Sequence, residues 1–214
     1  MIVTAVERER GRRRVKLYLD GQFVLALGRE LAAEQGVHPG RTMTAAELAT
    51  LAEAEARRSA MDSALRLLSH RPRSEQELRD RLRRKDFQAG VIEATMRRLG
   101  ELGYVDDEAF ARFWAEARQA SRPRSGRLLA AELRRRGVSP ETAQEATQSI
   151  ADDEVAYGLA QRRLPALRKL AYRTFRERLG RYLMSRGFSY EVARGTIERC
   201  WAEISPETVE SATN

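Results

Sequence analysis

The sequence predicts a mainly α protein: three tandem three-helix repeats forming an elongated, curved array, preceded by a small β-meander and helices at the N-terminus. Three observations predict it. Helix-start signals recur from residue 44 onward. The tetrapeptide RPRS occurs twice, at 71–74 and 122–125. Period-two alternation of apolar residues is confined to the first 27 positions.

The meander comes first. Val15, Leu17 and Leu19 alternate with Lys16 and Tyr18, and Phe23, Leu25 and Leu27 alternate again after Asp20-Gly21. That dipeptide favours a tight hairpin turn because both residues tolerate positive φ. Ile2 to Glu9 supplies a third strand, with Gly11 at the turn. Arg12, Arg13, Arg14 and Lys16 lie at a turn of this meander, either as a solvated hairpin tip or as an electrostatic finger for phosphate or an acidic partner.

Helix signals follow. Thr44 with Glu47 and Ser74 with Glu77 have capping-box spacing, in which hydroxyl and carboxylate satisfy orphan amides. Ser139-Pro140 pairs an N-cap with proline at the first helical position. Asp106-Asp107 and Asp152-Asp153 put negative charge at helix starts. The repeat carries Leu78 and Leu82 onto Leu129 and Leu133, then onto Leu179 and Leu183. It also aligns Phe87, Val138 and Phe188, preceded by Asp86, Gly137 and Gly187 where a helix ends in a left-handed residue. Leu99, Ile150 and Cys200 align as core positions. The first repeat's leading helix is expected to begin near Arg57. Its third helix carries the apolar stripe Val91, Ile92, Thr95, Met96, Leu99 and Leu102. The expected divisions are 1–56 for the N-terminal part, 57–105, 106–151 and 152–204 for the repeats, and 205–214 for a tail.

Composition excludes several classes. The longest apolar runs, such as Leu128 to Ala131, are far below the roughly 18 residues of a membrane helix. The opening MIVTAVERERGRRR turns charged too early for a signal peptide. A single cysteine, Cys200, fits a reducing cytoplasm. There are two histidines and no HExxH, CxxC or GxSxG. The segment Gly36 to Gly40 with Arg41-Thr42 is one residue short of a phosphate loop and has Arg where Lys is required. No enzyme activity, metal or cofactor is expected. Asp106, Asp107 and Glu108 read as a helix cap rather than a metal site. Of the aromatic group near Tyr104, the residues Phe110, Phe113, Trp114 and Ala117 have helical spacing and read as core rather than as a base-stacking surface.

The formal charge is +8, and only Lys16, Lys85 and Lys169 of the 39 basic residues are lysines. The excess is spread over all segments and interleaved with acids, so any positive face must be assembled by folding.

The stretch Leu102-Gly103-Tyr104-Val105-Asp106-Asp107-Glu108-Ala109-Phe110-Ala111-Arg112 is similar to the signature of the RecX family, regulators of the bacterial recombinase RecA. Ser74-Glu75-Gln76-Glu77-Leu78 resembles the preceding helix of that family. Gly126 with Glu132-Leu133-Arg134-Arg135-Arg136-Gly137-Val138 resembles the following one. The resemblance covers roughly 57–204, and residues 1–56 resemble the extra N-terminal region of longer members. One departure is Asp86, where the family usually has Gly. The resemblance implies a non-enzymatic modulator, expected to be an inhibitor and a monomer. It would dock in the groove of the RecA filament on single-stranded DNA and limit ATP hydrolysis, filament growth and strand exchange. It also implies a place in DNA recombination, repair and the SOS response. Candidate contact residues are Arg71, Arg73, Arg122 and Arg124, at matching repeat positions, with Arg134, Arg135 and Arg136. The alternative is a sequence-independent DNA-binding helical protein acting without RecA, with weak binding to single- or double-stranded DNA. A helical scaffold is a third.

Overall fold

A computed structural model describes residues 1–9 and 13–204. Gly11 and Arg12 of the expected turn, and the 205–214 tail, lie outside the described residues. Among the described residues the chain forms two compact units: Met1–Arg71 with Leu78–Val105, and Pro72–Glu77 with 106–204.

The first unit opens on an antiparallel sheet of β1 (Val3–Arg8), β2 (Arg14–Leu19) and β3 (Gln22–Gly28), in that order. The alternation in β2 points Val15, Leu17 and Leu19 into the core. Asp20 and Gly21, at φ 48° and 83°, make the tight turn. The Asp20 carboxylate accepts from the Ile2 amide at 2.8 Å, tying the turn to the chain start. Helix α1 (Arg29–Glu34) adds Leu31 and Ala32 to this core.

Helix α2 (Ala45–Leu68) starts at the capping box. The Glu47 amide donates to Thr44 Oγ1 at 3.1 Å, and the Thr44 amide donates to Glu47 Oε2 at 2.7 Å. The leading helix therefore begins at Ala45, not near Arg57. No Gly or Pro interrupts 45–68, so nothing in the backbone stops it. Its N-terminal half packs on the sheet through Leu51. Its C-terminal half packs through Ala60 and Ala64 on α3 (Glu75–Arg83) and α4 (Ala89–Glu101).

The second unit holds α5 (Asp107–Ser121), α6 (Gly126–Arg134) and α7 (Pro140–Glu145), then α8 (Asp152–Gln161), α9 (Leu164–Leu167), α10 (Tyr172–Ser185) and α11 (Tyr190–Ile204). All six aligned leucines, from Leu78 to Leu183, are fully buried. Each such side chain contributes roughly 1.5–3 kcal/mol relative to exposure. Asp86, Gly137 and Gly187 all adopt positive φ, at 61°, 84° and 89°. Asp86 is exposed, so its Cβ has room.

Several expectations need correction. The third helix of the middle repeat is only six residues long. Where α4 has Val91, Ile92 and Met96, the middle repeat has Thr142, Ala143 and Thr147, too little apolar surface to extend a helix. Leu102, just past α4, is 46 % exposed, and Ile150 is half-buried where Leu99 and Cys200 are fully buried. Phe113, 44 % exposed, and Ala117, also exposed, are surface residues rather than core. The buried face of α5 runs through Phe110, Ala111 and Ala115, and Phe113 lies off that stripe.

Candidate functional site

The RPRS tetrapeptides mark joints. Ser74 is fully buried. Its Oγ accepts from the Glu77 amide at 3.2 Å, capping α3, and donates to the Arg136 carbonyl at 2.5 Å. Beside it, the Glu75 amide donates to Asp107 Oδ1 at 2.9 Å. The arrangement recurs one repeat later. Ser125, also fully buried, accepts from the Leu128 amide at 3.2 Å and donates to the Gly187 carbonyl at 2.7 Å. The Gly126 amide then donates to Asp152 Oδ1 at 2.8 Å. A buried hydroxyl is tolerated when it both donates and accepts, and each serine does so. The backbone approaches closely here: a Cβ on Gly187 would lie 2.6 Å from Leu128 Cβ.

The acidic pairs divide their labour accordingly. Asp106 caps α5, accepting from the Glu108 and Ala109 amides at 2.9 and 3.0 Å, whereas Asp107 and Asp152 serve the joints. Sequence reasoning read these aspartates only as helix-start charges, and Ser125 only as part of a repeated tetrapeptide. The recurrence of RPRS was the available signal.

Around the first joint lies a charged cluster centred on Trp114. The Arg136 guanidinium sits 3.7 Å from the ring centroid and that of Arg118 sits at 4.5 Å. Arg136 also pairs with Glu77, while Arg118 and Arg124 both reach Glu132. Stacking of this kind is worth about 0.5–2 kcal/mol, more as the cation is desolvated. The third repeat has a counterpart: Arg163 and Arg186 lie 4.4 and 5.3 Å from the Tyr182 ring centroid.

The seven arginines singled out from the sequence thus fall into three situations. Arg124 and Arg136 are drawn into internal ion pairs. Arg71 and Arg73 are half-buried. Arg122, Arg134 and Arg135 are exposed. Cys200 is fully buried in the third repeat's core, and burial pushes its thiol from 9.0 up to about 11. That suits a packing residue, not a nucleophile. Among the described residues, no group of three or more His, Cys, Asp or Glu is placed to hold a metal ion, and no helix is long and apolar enough to cross a membrane.

Comparison with known proteins matches this architecture. Family models for the first, second and third three-helix domains of RecX match residues 60–99, 106–146 and 151–197. The regulatory protein RecX of Thermobifida fusca (strain YX) is 39 % identical over 153 residues, covering 67 % of this chain and 83 % of the relative. That of Listeria innocua is 24 % identical over 208 residues, covering 95 % and 77 %. A crystal structure of regulatory protein RecX superposes with a TM-score of 0.66 at 20 % identity, covering 90 % of this chain and 97 % of that one. RecX from Lactobacillus salivarius gives 0.63 at 21 % identity, covering 69 % and 97 %. With all three helical domains matched in order and a relative this similar, the chain belongs to the RecX family of regulatory proteins.

Proposed function

We propose that this protein restrains the RecA recombinase by docking, as a cytoplasmic monomer, in the groove of the RecA filament on single-stranded DNA. It limits ATP hydrolysis, filament extension and strand exchange without catalysing a reaction itself. The observation that carries this reading is the presence of all three RecX domains in order. The repeated serine joint supports it physically. Within the second unit, buried hydrogen bonds pin neighbouring segments together, so this part of the chain meets a partner surface without first losing conformational entropy. Arg122, Arg134 and Arg135, exposed and next to helix ends, are the contact residues proposed, with Arg71 and Arg73 at their half-buried margins. Arg124 and Arg136 act through the shape they impose, since their charges are spent on Glu132 and Glu77.

The test is the rate of RecA ATP hydrolysis and the length of RecA filaments on single-stranded DNA, with and without the protein. Both should fall. Binding to the filament should exceed binding to bare DNA or to free RecA at physiological salt. Equal affinity for bare DNA and filament would favour a DNA-binding protein acting alone. An unchanged rate and length would refute the regulatory reading.

A further inference from the structure

The first unit carries a second feature, apart from the arginines proposed as filament contacts. A polar cleft of about 750 Å3 lies against the sheet and α2, lined by Arg13, Arg14, Arg29, Arg58 and Arg66. Its floor is the carboxylate of Glu55, only 6 % exposed, which pairs with Arg14 at 3.0 Å and accepts from the Gly28 amide at 2.8 Å. Glu30 on the wall is engaged by Arg58. These acids are therefore occupied, and so are Arg14 and Arg58.

The other three guanidiniums differ. Arg13, Arg29 and Arg66 are exposed and form no ion pair among the described residues. The Arg29 amide donates to the Arg13 carbonyl at 3.0 Å, so these two residues are held side by side. Arg66 anchors its Nε on the Asp62 carbonyl at 3.1 Å. Asp62 is the one remaining carboxylate on the lining, leaving the cleft with a surplus of cations. Like charges converging on a concavity repel one another and focus positive potential into it, and a bound anion relieves both effects. Guanidinium forks match phosphate oxygens in geometry and charge. Among the described residues no aromatic side chain lines the cleft, so no base stacks there.

We propose that this cleft is a phosphate-binding site that holds linked phosphates through Arg13, Arg29 and Arg66. The phosphates belong either to a free oligophosphate or to a nucleic-acid backbone. Most of the lining precedes residue 60, where the first family-model match begins, and only Asp62 and Arg66 fall inside that domain.

Calorimetric titration of the full chain with inorganic tripolyphosphate tests it. Saturable binding at one site is expected. Arg29→Gln with Arg66→Gln should weaken it about tenfold or more, as the loss of two charge-assisted contacts implies. A matched variant outside the cleft, Arg84→Gln with Arg97→Gln, both exposed, should leave it within about twofold. Should the double variant fail to fold by circular dichroism, Arg13→Gln provides the same comparison. A short single-stranded oligonucleotide then identifies the source. Its displacement by tripolyphosphate assigns a nucleic-acid backbone; tripolyphosphate binding without displacement assigns a free oligophosphate. Absence of saturable binding, or equal weakening by the cleft and control variants, overturns the site. RecA ATP hydrolysis is not read in this experiment, so its outcome is independent of the filament proposal.

Discussion

Gly137 closes on Gln76 so tightly that a Cβ at position 137 would lie 2.2 Å from the Gln76 Cβ. The position also sits at φ 84°, where an L side chain is strained. Gly137→Ala should therefore destabilise the protein by more than the roughly 1 kcal/mol of a simple glycine replacement. Asp86, at the aligned position of the first repeat, is exposed at φ 61°. Asp86→Gly should leave the melting temperature unchanged or raise it slightly. Thermal unfolding of the two variants side by side checks the difference. Equal, small effects would mean that the close approach at 137 is not constraining.

Ser74→Ala and Ser125→Ala each remove a buried hydroxyl that donates to a carbonyl across a joint. Each should cost about 1–3 kcal/mol, because a buried acceptor loses its partner along with the cap. Ser139 caps α7 at an exposed position, so Ser139→Ala should cost about 1 kcal/mol or less. Denaturant unfolding with unchanged m-values would show that the native state, rather than the unfolded one, is affected.

The Cys200 thiol is buried and its pKa is raised from 9.0 to about 11. The folded state thus holds this proton more tightly than the unfolded state. The associated stability is fully present below pH 9 and is lost as pH rises through about 11. A thiol reagent at pH 8 should label Cys200 only after denaturant is added. Stoichiometric labelling of the native protein would show that the third repeat's core opens.

The arginines should separate by role. Reversing Arg122, Arg134 and Arg135 to Glu should weaken inhibition of RecA about tenfold or more, with little change in melting temperature, because these side chains are exposed. Arg136→Ala should instead lower stability by about 1–2 kcal/mol and shift the emission of Trp114, on which its guanidinium lies. Fluorescence, unfolding and ATPase measurements on the same variants distinguish the two behaviours. An Arg136 variant with wild-type stability and lost inhibition would place that residue among the direct contacts.

Much of this protein is written in local sequence. The Asp20-Gly21 turn, the Thr44 and Ser139 caps, and the left-handed residues at 86, 137 and 187 depend on backbone chemistry within a few positions, so the residues alone specify them. The leucine spacing of the repeats is legible for the same reason, since helical periodicity selects which face is apolar. Other features are not local. Glu77 and Arg136 are 59 positions apart, and Ser125 and Gly187 are 62 apart. Whether an arginine is a contact or a strut depends on which acid or ring the fold brings to it, as Glu132 reaches Arg124 and Trp114 receives Arg136. The same holds for the cleft, where the tertiary fold spends Arg14 on the buried Glu55 and leaves Arg13 and Arg29 exposed. Charge and pattern belong to the chain. Which charges remain available is decided by packing, because desolvating an arginine requires a partner and only the fold supplies one.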